Sequence, residues 1–174
     1  MNTRFITTGL SGLEGQGTLN NGGWLYSELR AWLNGFEMIN TGEKDDFTGV
    51  GLIDALPVAL KNGIKPVKKY SDGGYYTKDD INETIDKIFI PSLAELNITN
   101  EKLTYNLSEQ GTPYVLYTDD DSRRIPGLSY WTRSSSTVSS HAWNLINSPE
   151  DMSNKISEYK NGSGRSGIVF MFCI

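Results

Sequence analysis

Apolar and polar positions divide the chain into short elements separated by long polar connections. In "WLYSELRAWLNGF", Leu25, Leu29, Trp32, Leu33 and Phe36 fall at helical spacing, which predicts an amphipathic helix with one buried face. Asn34-Gly35 fits its C-cap, because glycine accepts the left-handed conformation there. A second helix is expected across "DALPVALKNG". Asp54 can cap it, Pro57 is tolerable only in its first turn, Gly63 can end it, and Leu56, Ala59 and Leu60 would form its buried face. "IKPVKKY" then alternates. It reads as a strand with an exposed lysine face, and Pro66 places it at an edge. In "IDKIFIPSLAEL", Ile85, Ile88, Phe89 and Ile90 form a dense apolar strand that Pro91 stops, and Ser92 can cap a short helix after it.

The last third reads as strand, loop, strand, loop, strand. "SYWTRS" and "HAWNLI" alternate around a serine-rich tip, a hairpin signature. "GIVFMFCI" is a near-continuous apolar run, which fits a central strand buried on both faces, with Cys173 as a buried thiol. Residues 1–23 mix short apolar stretches with glycines and read as an arm or first strand. No repeat, heptad array or dividing linker interrupts the rest, and 174 residues suit one domain.

Composition narrows the class. Eighteen glycines, with nine tyrosines, six phenylalanines and four tryptophans, fit a loop-rich β or α+β domain rather than a helical bundle. The net charge of −5, with a single basic cluster at Lys61–Lys69, argues against nucleic-acid binding, which draws most of its affinity from phosphate neutralisation. One cysteine and one histidine cannot supply a Cys/His metal site. "MNTRFITTGLSGLEGQG" carries no long apolar run, so neither a signal peptide nor membrane insertion is expected.

Four chemistries deserve weighing. Ser134, Ser135 or Ser136 with His141 and an acid from Asp119–Asp121 would make a triad, but nothing places the serine on a nucleophile elbow, and triads are defined by geometry. Asp119, Asp120 and Asp121 offer hard oxygens for calcium. Consecutive residues seldom converge on one ion, however, and Arg123 and Arg124 stand beside them. Arg30 and Arg133 sit among aromatics. At least one of them is expected to be partly buried, stacking on Trp131 or Tyr130 and pairing with an acid such as Asp86 or Asp121. Tyr75, Tyr76, Tyr114 and Tyr117, with Ser135, Ser136, Thr137 and Ser139 of the serine-rich tip, have the composition of a binding surface: rigid aromatics and adaptable polar groups.

The motifs also follow a known order. Leu29, Arg30, Trp32, Leu33 and Asn34 come first. Asp86, Lys87, Ile88 and Phe89 follow, then Tyr130, Trp131, Arg133 and Ser134, and last Gly167, Phe170, Phe172 and Cys173. This order resembles domain-of-unknown-function family 6273 of bacteriophage structural and bacterial surface proteins, over residues 22–174. Ser135 stands where the family often has proline. The resemblance implies an α+β, C-type-lectin-like fold: two helices packed on small twisted antiparallel sheets, with long loops. Formylglycine-generating enzymes share that fold but use paired cysteines, which this chain lacks.

The resulting expectation is an arm at residues 1–22 that docks to other virion proteins, and a lectin-like domain at 23–174. The domain would be non-enzymatic and cofactor-free. It would decorate a capsid, head fibre or tail tip and present its loops to a host-surface glycan or protein. It would sit on the virion surface as a homo-oligomer or in repeated copies, after synthesis in a bacterial cytoplasm. The alternative is a secreted or surface-displayed bacterial glycan-binding module. Arg30, Trp32, Trp131, Arg133 and Trp143 are assigned structural roles, with Trp131 and Trp143 flanking the hairpin as anchors.

Overall fold

The computed structural model describes residues 20, 22–38, 46–74, 79–98, 110–136, 142–148, 157–161 and 166–174. Nearly all of the expected arm, and Tyr75, Tyr76, Thr137, Ser139 and His141, lie outside the described residues. The chain is a mixed α+β domain. Its first helix, α1 (Glu28–Asn34), follows a 3-10 turn at Gly23–Tyr26. Ser27 caps it by accepting from the Arg30 amide at 3.1 Å, and Gly35 ends it with φ 67°. Leu29 and Leu33 are fully buried, while Trp32 lies half-buried at the margin of the core.

The expected second helix is divided. Leu56 is extended, with ψ 148°, because the following Pro57 disfavours the helical region for it. The result is two short pieces, α2 (Leu52–Ala55) and α3 (Val58–Gly63). Asp54 therefore lies inside α2 rather than at its N-cap, Pro57 is the N-cap of α3, and the buried residue is Ile53. No residue of α3 is buried: Ala59 is exposed, and Leu60, like Leu56, is half-exposed.

Two small antiparallel sheets follow. In the first, β1 (Val67–Asp72) pairs with β2 (Ile81–Asp86). Lys68 faces solvent, but Lys69 is buried, so the expected lysine face is half right. The dense strand expected at Ile85–Ile90 is displaced. Ile85 is 63% exposed on β2, whereas Ile88, Phe89 and Ile90 are buried in the extended segment after it. Ser92 does cap a single turn: its Oγ accepts from the Glu95 amide while Glu95 Oε2 accepts from the Ser92 amide, both at 3.1 Å.

The second sheet has strand order β3-β4-β5, from β3 (Tyr130–Ser135), β4 (Ala142–Ile146) and β5 (Ser157–Asn161). The hairpin is present, with a register shift between Trp131 and Ser135. Every residue of β3 is buried, because it runs between two apolar clusters. Trp131 joins Trp24, Leu29, Leu33, Phe89 and Trp143, while Tyr130 joins Leu93, Leu96, Ile98 and Ile146. The C-terminal run is not a central strand. It meets the body through isolated bridges, Gly167 to Tyr130, Met171 to Phe89 and Cys173 to Lys65, and so lies at the margin. Phe170 and Ile174 are exposed, and Cys173 is an exposed thiol rather than a buried one.

Backbone approach fixes the junction of α1 and α2. A Cβ on Gly51 would stand 2.5 Å from Gly35 Cα and 2.6 Å from the Trp32 carbonyl oxygen, neither of which can swing aside. Gly51→Ala is therefore expected to cost about 1–3 kcal/mol in urea denaturation. Gly63→Ala meets only Ile174 Cγ2 at 3.7 Å, at the end of a helix. It is expected to be neutral or to add up to about 1 kcal/mol. Equal effects of the two substitutions would contradict this packing.

Candidate functional site

An extended polar cluster lies inside the molecule. Arg133, fully buried on β3, donates Nε to the Tyr70 carbonyl at 3.0 Å, one terminal nitrogen to the Ile90 carbonyl at 2.8 Å and to Glu95 Oε2 at 2.5 Å, and the other to the Gln110 carbonyl at 2.8 Å. Those acceptors belong to three stretches of chain, around Tyr70, from Ile90 to Glu95, and at Gln110. Lys69 completes the cluster. Its ammonium donates to Glu95 Oε1 at 2.9 Å and to the Tyr114 hydroxyl at 2.7 Å, and lies 3.8 Å from the centre of the Phe89 ring. Burial disfavours the charged form of Glu95, but Arg133 and then Lys69 outweigh it and hold the carboxyl below its ordinary range. Tyr114 is pushed the other way, by burial and then by Glu95, so its hydroxyl stays neutral.

A second hub anchors α1. Asp86 accepts from Arg30 Nε at 2.7 Å, Trp24 Nε1 at 2.9 Å and Thr84 Oγ1 at 2.7 Å. Pairing of Arg30 with Asp86 matches the sequence reading, but the guanidinium lies over Phe36, 4.8 Å from the ring centre, rather than over Trp131 or Tyr130. Arg133 likewise takes Glu95 as its acid, not Asp86 or Asp121.

A third buried acid has no such cation among the described residues. Asp72 accepts from Gln110 Nε2 at 2.8 Å, the Ser135 amide at 3.1 Å, the Gly74 amide at 3.0 Å and the Ser135 hydroxyl. Burial raises its pKa, and the hydrogen bonds from Ser135, Gly74 and Gln110 only partly offset that.

These contacts relocate several expected surface groups. Ser135 and Ser136 are buried, not displayed. Ser135 serves Asp72, and the Ser136 carbonyl accepts from Asn20. Ser134, the third serine proposed as a nucleophile, is also buried; it donates to Gln110 Oε1 and accepts from the Leu93 amide. Trp131 and Trp143 are buried and Trp32 is half-buried. Asp119 caps the one-turn α4 (Asp120–Arg123) in a reciprocal box with Ser122, and Asp120 pairs with Arg123 at 2.9 Å. The three aspartates do not converge, and no acid, histidine and cysteine cluster suited to a metal occurs among the described residues.

Tyr114 and Tyr117, half-buried, bracket the surface feature that pattern reading missed. The Tyr117 amide donates to the Tyr114 carbonyl at 3.1 Å, closing a β-turn whose corners are Val115 and Leu116, 89% and 77% exposed. Turn corners ordinarily carry Gly, Pro, Asn, Asp or Ser. The turn is mounted on the ionic cluster: the Tyr114 amide donates to the Glu95 carbonyl at 2.9 Å, its hydroxyl meets Lys69, and Arg123 and Asn97 hold the Tyr117 carbonyl. The readable signals were the Ser92-x-x-Glu95 capping pattern and two adjacent apolar residues within a polar connection.

Arg133→Met should cost about 3–5 kcal/mol in urea denaturation, because Glu95 stays buried with half its cations gone and three carbonyls lose their donor. Arg133→Lys should recover little, since an ammonium cannot span four acceptors. Acid titration should separate Asp72 from its neighbours. A raised folded-state pKa means a stabilising contribution that is complete below the ordinary carboxylate range and lost as pH rises through the raised value. Relative to Asp72→Asn, the wild type should gain stability on going from pH 7 to pH 4; the opposite slope in chemical denaturation would exclude this reading.

Among the described residues no helix is long and apolar enough to cross a membrane. Comparison with curated proteins finds no match, and comparison with solved structures finds none either. A family model described as a domain of unknown function, DUF6273, matches residues 5–168. Matched over residues 5–168, most of its length, the chain belongs to the DUF6273 family.

Proposed function

We propose that this is a non-enzymatic binding module of C-type-lectin-like architecture, carried on the outside of a bacteriophage particle and displaying a rigid loop face for attachment. The observation that supports the reading best is the junction at Arg133. One guanidinium clamps β1, the Ile90 segment and the Gln110 loop, and through Glu95 the capped turn beneath Tyr114. The charged groups of that cluster hold loops in place rather than facing a cleft. The serine hydroxyls proposed as nucleophiles are committed inside the fold: Ser134 to Gln110, Ser135 to Asp72. What the module offers outward is the Val115–Leu116 corner, two large apolar side chains held on a stiff mount.

The loop face therefore reads as a contact for a protein surface. The two tryptophans that a sugar platform would need are buried, and this disfavours the alternative of a secreted or surface-displayed bacterial lectin. The virion setting rests on the family resemblance.

Peptide mass spectrometry of purified particles is expected to detect the protein as a stoichiometric component. Its absence from particles made by a producing host would overturn the virion reading. On a glycan array the purified domain is expected to be silent; saturable binding to one glycan class would instead favour the lectin alternative.

A further inference from the structure

The chain contains four Asn-Gly pairs, and two of them, Asn34-Gly35 and Asn62-Gly63, stand at helix ends in the described structure. Such a pair can modify itself. The amide nitrogen of a glycine has no side chain to shield it, so it can attack the Cγ of the asparagine before it and expel ammonia. Helical backbone, with ψ of about −42°, holds the two atoms apart, so the asparagine must first leave the helix. The two pairs therefore differ by what leaving costs.

Asn34 is locked. Its Oδ1 accepts from the Lys87 and Ile88 amides at 2.8 and 3.0 Å, and its Nδ2 donates to the Ile88 and Arg30 carbonyls at 2.8 and 3.0 Å. The helix that carries it also buries Leu29 and Leu33 completely. Asn62 is exposed, and its side chain has no hydrogen-bond partner among the described residues. Its helix, α3, has six residues and none is buried. A helix so short has little stability of its own. A partly exposed ion pair, Lys61 with Asp54, ties it to α2. Unwinding from Val58 to Asn62 uncovers no buried side chain and leaves the buried Ile64 in place. Local opening takes little free energy where so few apolar contacts are lost.

We propose that Asn62-Gly63 is a site of spontaneous covalent modification. The Gly63 amide gives its proton to solvent, and its nitrogen bonds to Asn62 Cγ. The Cγ–Nδ2 bond breaks, and the nitrogen leaves as ammonia after taking a proton back from solvent. Water then opens the cyclic imide at either carbonyl, giving aspartate or, with one more methylene in the backbone, isoaspartate. Water is the only co-reactant. The product sets a carboxylate in the last turn of α3, where the helix dipole opposes it, between Lys61 and the exposed Lys65. The end of α3, beside Ile174, thus changes charge and shape with the age of the molecule. The reaction is independent of what the module attaches to, so the failure of one reading leaves the other standing.

Peptide mapping by mass spectrometry tests the proposal on the purified whole chain, incubated under mildly alkaline conditions with and without urea. In the folded chain Asn62 is expected to convert at least about tenfold faster than Asn34, giving aspartate and isoaspartate peptides that chromatography separates. In urea, where both helices are lost, the two rates should converge. Gly63→Ala, which meets only Ile174 Cγ2 at 3.7 Å and should keep the fold, is expected to slow conversion at Asn62 by about tenfold or more and to leave Asn34 unchanged. An Asn62 that stays intact, or converts no faster than Asn34, overturns the proposal. So does undiminished conversion in Gly63→Ala. A difference between the two sites that persists in urea also overturns it, because the fold would then not be what sets them apart.

Discussion

The fold depends on a single buried guanidinium, that of Arg133. Two-stranded and three-stranded sheets satisfy few backbone groups by themselves, and the segments around Ile90 and Gln110 belong to neither sheet. Their buried carbonyls still need donors, since an unpaired buried acceptor costs as much as a lost hydrogen bond. Arg133 supplies them at Tyr70, Ile90 and Gln110, and the charge it brings is met by Glu95. A lysine at that position could not do the same, because the fork geometry is what lets one side chain reach several segments. Lys69 is placed where a point charge suffices, between one carboxylate oxygen, one phenol and a ring face.

From that junction the surface follows. Glu95 is fixed twice, by its cations and by the Ser92 capping box, so its own carbonyl becomes a rigid acceptor for the Tyr114 amide. The apolar corner at Val115 and Leu116 inherits that rigidity. A contact already ordered before binding loses less conformational entropy on binding, which gives an exposed apolar turn use as an interface rather than leaving it only a liability.

Some of this was legible in the sequence and some could not be. Helix α1 was, because its period and the Asn34-Gly35 stop are both local and agree. The hairpin of β3 and β4 was, and so was the partnership of Arg30 with Asp86. The second helix failed because a periodic pattern does not register that Pro57 forces Leu56 out of the helical region. The C-terminal run failed for a different reason: apolar continuity fits a central strand and an edge that alternately touches core and solvent equally well. The serine tip misled because hydroxyls suit a displayed loop as readily as a buried carboxylate, and Asp72 lies 63 residues before Ser135. Glu95 and Arg133 are 38 residues apart, and no local signal joins them.

Asp72 and Glu95 show how far environment, rather than residue type, decides the state of a buried acid. Both are nearly inaccessible carboxylates within the same tertiary junction, linked through Gln110, whose side chain serves Asp72 and whose carbonyl serves Arg133. Glu95 faces two cations and is held ionised, so acid works against it. Among the described residues Asp72 meets amides and a hydroxyl, which solvate a carboxylate only in part, so acid favours it. The Ser135 hydroxyl can either donate to an ionised Asp72 or accept from a protonated one, and the junction therefore keeps its hydrogen bond in both states. Opposite responses at adjoining sites partly cancel, leaving the loop face less sensitive to acidification than either carboxylate alone would make it.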